Sequence, residues 1–157
     1  MKATGLLLAL LLTGAADELA TTQVGALKLK APAAWSRTTD DEGTTRFAAP
    51  SGEGYFEVMV GQVQREGGMP AEECLSKILA GVGPAGFEKL TIGQKPAAVK
   101  AVVDNDESGK AFHTVTYVGC DGTTTWSLEF HFVDAKKARF EPLAKAVGKS
   151  VEYAKGK

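Results

Sequence analysis

The chain has 157 residues, with 18 Lys and Arg against 19 Asp and Glu and a formal net charge of −1. That balance, without a basic stripe or arginine cluster, excludes the electrostatic footprint of a nucleic-acid binder. A hydrophobic content of 44% excludes a disordered polymer, and the length is that of one domain able to bury about two-thirds of its unfolded surface.

The N-terminus reads as an export leader. Lys2 supplies the positive charge, Leu6 to Leu12 is an unbroken apolar run, and Thr13-Gly14-Ala15-Ala16 are small residues followed by Asp17 and Glu18. This order predicts a cleaved signal peptide over residues 1–16, followed by a single domain over 17–157. The run is too short to span a bilayer, which takes roughly 20 residues. Leu12-Thr13-Gly14-Ala15 resembles a lipoprotein cleavage box, but Ala15 stands where the lipidated cysteine belongs. The expectation is a periplasmic or secreted protein with no stable membrane anchor after cleavage.

Residues 23–31 alternate, with Leu27 and Leu29 opposite Lys28 and Lys30, and predict a half-buried strand ended by Pro32. Trp35 follows in a turn. Strands are expected over 44–49, around Phe47, and over 55–64, with Phe56, Val58 and Val60 on one face. Trp35 and Tyr55 read as rim aromatics covering the core edge. From Ala71 to Val82 the period becomes helical. Cys74, Leu75, Ile78, Leu79 and Val82 form one apolar stripe, Glu72 and Glu73 suit the helix N-terminus, and Gly83-Pro84 stops the element.

Extended segments follow over 87–94 and 97–103, then a polar turn over 104–109. Residues 110–119 and 123–133 predict a hairpin closed by Cys120-Asp121-Gly122, with Gly122 at the left-handed position. That register opposes Thr114 to Leu128 and Phe112 to Phe130. It puts His113, Val115, Tyr117, Thr125, Ser127, Glu129 and His131 on one polar face. Asp134 is expected to cap a last helix whose stripe is Phe140, Leu143, Val147 and Val151. The whole is α+β: an antiparallel sheet of about six strands flanked by helices.

Two cysteines, Cys74 and Cys120, are a candidate disulfide in an exported chain. Bridging would close a loop of about 46 residues, worth up to roughly 4 kcal/mol in the chain-entropy model; two separate thiols are the alternative.

The remaining motifs carry little chemistry. Asp104 to Gly109 matches the front half of a calcium loop, but Val115 falls where a bidentate Glu is required, so it reads as an acidic hairpin turn. His113, Glu129 and His131, with Tyr117 on the same expected face, form a candidate surface site. Two imidazoles and a carboxylate suit zinc, but a carboxylate beside a histidine is also an ordinary cross-strand pair. No Gly-x-Ser-x-Gly elbow occurs, and Gly81 to Gly86 ends a helix where a dinucleotide loop would open one. No catalytic residue, cofactor or metal is therefore assigned.

Four segments carry a family resemblance: Leu27-Lys28-Leu29-Lys30-Ala31-Pro32-Ala33-Ala34-Trp35; Arg46-Phe47-Ala48-Ala49-Pro50; the meander over 97–133 with Asp-Glu-Ser-Gly-Lys at its first turn; and the closing helix over 140–151. In this order they are similar to the PsbP-like family of small α/β/α sandwiches. That group includes the photosystem oxygen-evolving subunit, DcrB-type exported proteins and Ran-binding Mog proteins. The resemblance implies a helix-covered sheet that binds partners without catalysis. The photosystem and Ran surfaces have no residue-level counterpart here. The expected function is thus a non-enzymatic exported binding or accessory protein, of immunity or envelope type, with a protein partner. The alternative is a periplasmic small-molecule or metal carrier.

Overall fold

The computed structural model describes residues 17–155, and the expected leader lies outside them. In chain order the elements are β1 (Leu19–Val24), β2 (Leu27–Pro32), β3 (Ser36–Thr39), β4 (Thr45–Ala48), β5 (Gly54–Gln62), α1 (Ala71–Val82), β6 (Glu88–Ile92), β7 (Lys95–Asn105), β8 (Ala111–Cys120), β9 (Thr124–Val133), α2 (Lys137–Lys149) and β10 (Glu152–Tyr153). Among the described residues there are ten strands, seven of them in the large sheet where about six were expected, and three of the ten were not among the seven expected extended segments. The additions are short, exposed or weakly alternating: β1, β3 and β10 carry few apolar residues for a period-2 pattern to register.

The strands form two antiparallel sheets, a small one in the order β1-β2-β10 and a large one in the order β3-β4-β5-β9-β8-β7-β6. The main core lies on one face of the large sheet, here called inner. Phe56, Val58, Leu128 and Phe130 of β5 and β9 meet Leu27 and Leu29 of β2 and Phe140 and Val147 of α2, all fully buried. Trp35 sits inside this cluster and not at its rim. Its ring packs edge-on against Phe130 and Phe140 at 5.7 and 5.9 Å, a favoured aromatic geometry.

α1 covers part of the opposite, outer face. Leu75 and Leu79 pack on Ala98 of β7 and Val118 of β8 in a small separate cluster. β8 is therefore buried on both sides: Tyr117 faces the main core and its neighbour Val118 faces α1.

The β8–β9 register differs from the sequence expectation by three residues. Thr114 opposes His131, Phe112 opposes Val133 and Tyr117 opposes Leu128. The connection is Asp121-Gly122-Thr123, displaced by one residue from a Cys-Asp-Gly turn, and the Asp121 N–H donates to the Thr124 carbonyl at 3.2 Å. The Asp121 carboxylate accepts hydrogen bonds from the Thr123 and Thr124 N–H groups at 2.9 and 2.7 Å and rebuilds the turn around itself. An odd shift inverts the faces of β8 relative to β9.

Asp134 does not cap α2. It opens a single 3-10 turn (Asp134–Lys136) before the helix. Its carboxylate instead lies 2.6 Å from His113 Nε2.

Candidate functional site

The register divides the residues that the sequence grouped. His113 lies on the inner side, 8% exposed, stacked on Phe132 at 4.9 Å and held by Asp134. Tyr117 is also inner; its ring fills the space above Gly148 of α2, and burial pushes its hydroxyl pKa up. Glu129 and His131 remain together on the outer face. The four expected residues therefore do not form one site.

Cys74 and Cys120 are joined, with Cα atoms 6.1 Å apart. The disulfide pins the first turn of α1 to the end of β8.

Alternation along β4, β5, β9 and β8 assembles a polar ledge on the outer face. Arg46 opposes Glu57, Tyr55 opposes His131, Glu57 opposes Glu129, and Thr114 opposes His131. The Arg46 guanidinium binds Glu57 Oε1 at 2.6 Å and lies 4.3 Å from the Tyr55 ring centroid. The Tyr55 ring in turn stacks on His131 at 4.7 Å. Both His131 nitrogens are occupied, Nε2 by Glu129 at 2.8 Å and Nδ1 by the Thr114 hydroxyl at 3.2 Å.

The electrostatics follow from these contacts. The Glu57 hydrogen bond holds the Arg46 guanidinium more firmly protonated than usual. Burial raises the Tyr55 pKa, opposed by the Arg46 charge. An imidazole committed at both nitrogens is poorly placed to shuttle a proton. The ledge is an array of paired charges and stacked rings.

Beside the ledge, α1 leaves an open groove. It has a volume of about 390 Å³ and is lined by Met59, Gly61, Ile78, Val82, Thr125 and Ser127 among others. Met59 and Val82 are 53% and 59% exposed. A smaller cleft of about 190 Å³ is lined by Tyr55, Phe112, His131 and the Gly52–Gly54 turn.

Sequence reasoning missed Arg46, Met59 and Val82 as surface features, although strand alternation already set Glu57 and Met59 opposite Phe56 and Val58. Nothing in the sequence indicated that α1 would end short of β5.

In the calcium-like segment, Asp106 Oδ1 accepts hydrogen bonds from its own turn, from Ser108 N, Ser108 Oγ and Lys110 N at 2.9, 2.6 and 2.8 Å. These bonds lower its pKa. Among the described residues, no group of three His, Cys, Asp or Glu is placed to hold a metal ion, and no helix is long and apolar enough to cross a membrane.

No protein-family model matches the sequence, and no curated protein matches it significantly. Solved structures do. LpqN of Mycobacterium tuberculosis, described as involved in cell envelope biogenesis, superposes with a TM-score of 0.59 at 11% identity, over 87% of this chain and 91% of that one. Cyanobacterial PsbP from Synechocystis gives 0.50 at 10% identity, over 90% and 95%. A protein from Bacteroides thetaiotaomicron gives 0.66 at 15% identity over 89% of this chain. This chain spans about half the length of that protein, 49%.

Identities this low establish fold alone. The architecture is that of the PsbP-like group: an antiparallel sheet with helices on both faces, as the sequence resemblance implied.

Proposed function

We propose that the protein is an exported, non-enzymatic binding or accessory protein that works by protein contact, in an immunity-type or envelope role. The observation that carries this reading is the half-covered outer face, where Met59 and Val82 flank an open apolar groove next to the Arg46–Tyr55–His131 ledge. Protein interfaces combine such an apolar centre with a rim of charged and aromatic groups. The disulfide supports export, because such bonds persist in oxidising compartments.

Recovery of partners from an envelope extract with the wild-type protein and with Met59→Asp tests the reading. Met59 is about half exposed, so the variant should keep the fold, which circular dichroism checks. A specific partner lost in the variant supports the proposal. Recovery of no specific partner, or of one indifferent to Met59→Asp, counts against it.

A second reading, a carrier of a small apolar molecule, rests on the groove volume of about 390 Å³, which lies within the range of ligand pockets. Its mark would be a rise in Tm with an apolar ligand that Met59→Asp abolishes, in the absence of any protein partner.

A further inference from the structure

β7 is longer than its neighbour. β6 pairs with it only from Lys95 to Val99, while β8 pairs with it as far as Asn105. Gly86 and Phe87 continue past β6 alongside Lys100, whose ammonium lies 5.7 Å from the Phe87 ring centroid. Beyond that point, among the described residues, no strand pairs with the outer edge of residues 101–105.

The direction of the main-chain groups follows from the turns. Gly93 and Gln94 both have positive φ, 58° and 63°, so a two-residue hairpin makes Ile92 and Lys95 a hydrogen-bonded pair. Odd-numbered residues of β7 therefore direct N–H and C=O toward β6, and even-numbered ones toward β8. Asp106 N donating to Lys110 O at the β7–β8 turn agrees. Ala101, Val103 and Asn105 thus present unpaired donors and acceptors on an open edge. Ala101, Val103, Asp104 and Asn105 are exposed, and Val103 is 58% exposed. Edges of this kind template strand addition.

We infer that the free edge of β7 pairs antiparallel with the same edge of a second copy of this chain, about a two-fold axis at Val103. This inference is independent of the proposed function. Only the axis at Val103 uses all three open residues of each copy. Ala101 then meets Asn105 of the other copy and Val103 meets its own equivalent, closing six main-chain hydrogen bonds in hydrogen-bonded register. An axis at Ala101 would drive the second strand into Phe87 and Glu88. The charges agree with the antiparallel sense: Lys100 stands at one end of the edge and the acidic turn of Asp104, Asp106 and Glu107 at the other, so each copy brings its acidic turn toward the other's lysine. The two large sheets become one continuous sheet across the axis.

An interface of this size belongs to the weak class, with a Kd of roughly 10 μM to 1 mM. Sedimentation of the mature protein over that range tests it. The wild type should shift toward dimer with concentration. Val103→Lys and Val103→Glu each place like charges directly opposite one another and should weaken association at least about tenfold. Their equimolar mixture should restore it as a heterodimer, because residue 103 faces residue 103. Val103→Pro, which removes an outward N–H and leaves the β8 ladder intact, should remain folded by circular dichroism and monomeric. A wild type that stays monomeric at about 1 mM overturns the inference. So does a dimer unaffected by these variants, or a mixture that fails to recover.

Discussion

Gly148 shows how finely one position can be set. A Cβ there would overlap the Tyr117 ring, so α2 approaches the sheet closely only because nothing projects at that point. Gly148→Ala would gain up to about 1 kcal/mol of helix propensity. Overpacking against a buried ring costs about 1–3 kcal/mol. The clash should win, and urea unfolding should report a lower midpoint at unchanged slope. Tyr153 is a second decisive residue. Its hydroxyl accepts the Trp126 Nε1–H at 2.9 Å, and burial, only partly opposed by that hydrogen bond, pushes its pKa up to about 12. The folded state therefore holds this proton longer than the unfolded chain does. The corresponding stability is fully present below about pH 10 and is lost as the pH rises toward 12. Tyr153→Phe should flatten that alkaline decline. It should also cost about 1–3 kcal/mol at neutral pH, since it strands a buried indole donor; paired urea titrations at pH 7 and above pH 10 measure both.

Elements differ in how much holds them. α1 has no side-chain N-cap and no basic residue in its last turn. Its contact is the satellite cluster of Leu75 and Leu79 on Ala98 and Val118. The Cys74–Cys120 bond adds a covalent anchor to β8. Replacing both cysteines by serine should cost about 2–4 kcal/mol. The loss should be local first: amide exchange should accelerate across Ala71–Val82 while β5, β8 and β9 stay protected. Equal loss of protection everywhere would show that α1 is integral to the main core. The same element explains what was legible beforehand. The stripe from Cys74 to Val82 places α1 at its observed limits, because one buried face and one wet face leave a clear 3.6-residue period. β9 reads equally well, with Trp126, Leu128, Phe130 and Phe132 against Ser127, Glu129 and His131. β8 does not, because α1 and the core bury both its faces. Val115 and Tyr117 on one side look no more apolar than Phe112 and Val118 on the other. With alternation silent, the turn alone set the register, and Asp121 placed the turn further along the chain than the glycine suggested. The candidate site inherited that error: Glu129 and His131 stayed together, and His113 and Tyr117 went to the other face.

At the scale of the whole molecule the two faces of the large sheet have different tasks. The inner face is sealed by α2 and the small sheet, and the first described residue takes part. Asp17 accepts two hydrogen bonds from the Arg139 guanidinium, at 3.1 and 2.8 Å, and one from Trp35 Nε1 at 3.3 Å. The Arg139 hydrogen bonds, with the lesser help of Trp35, hold the Asp17 carboxyl below the usual carboxylate range. Its stabilising contribution is present above the ordinary carboxylate pKa and disappears as the pH falls through the depressed value. Asp17→Asn should therefore lessen the acid sensitivity of unfolding, with a small cost at neutral pH because the pair is partly solvated. Acid titrations of the variant and wild type, followed by tryptophan fluorescence, compare the two. The outer face is open in its β4–β5–β9 half, and the proposed protein contact rests there.

The crosslink also decides how the chain would respond to being pulled. Force applied at the two termini travels through β1 to β5, then passes across the sulfur bridge directly into the β8–β9 turn. The 45 residues between the bridged positions are bypassed, so α1 beyond its first turn, β6, β7 and β8 bear no load along their own backbone. Stretched to full length, the oxidised molecule should fall short of the reduced one by roughly 150 Å. A tethered single-molecule trace would show that hidden length appear in one step when a reductant is added.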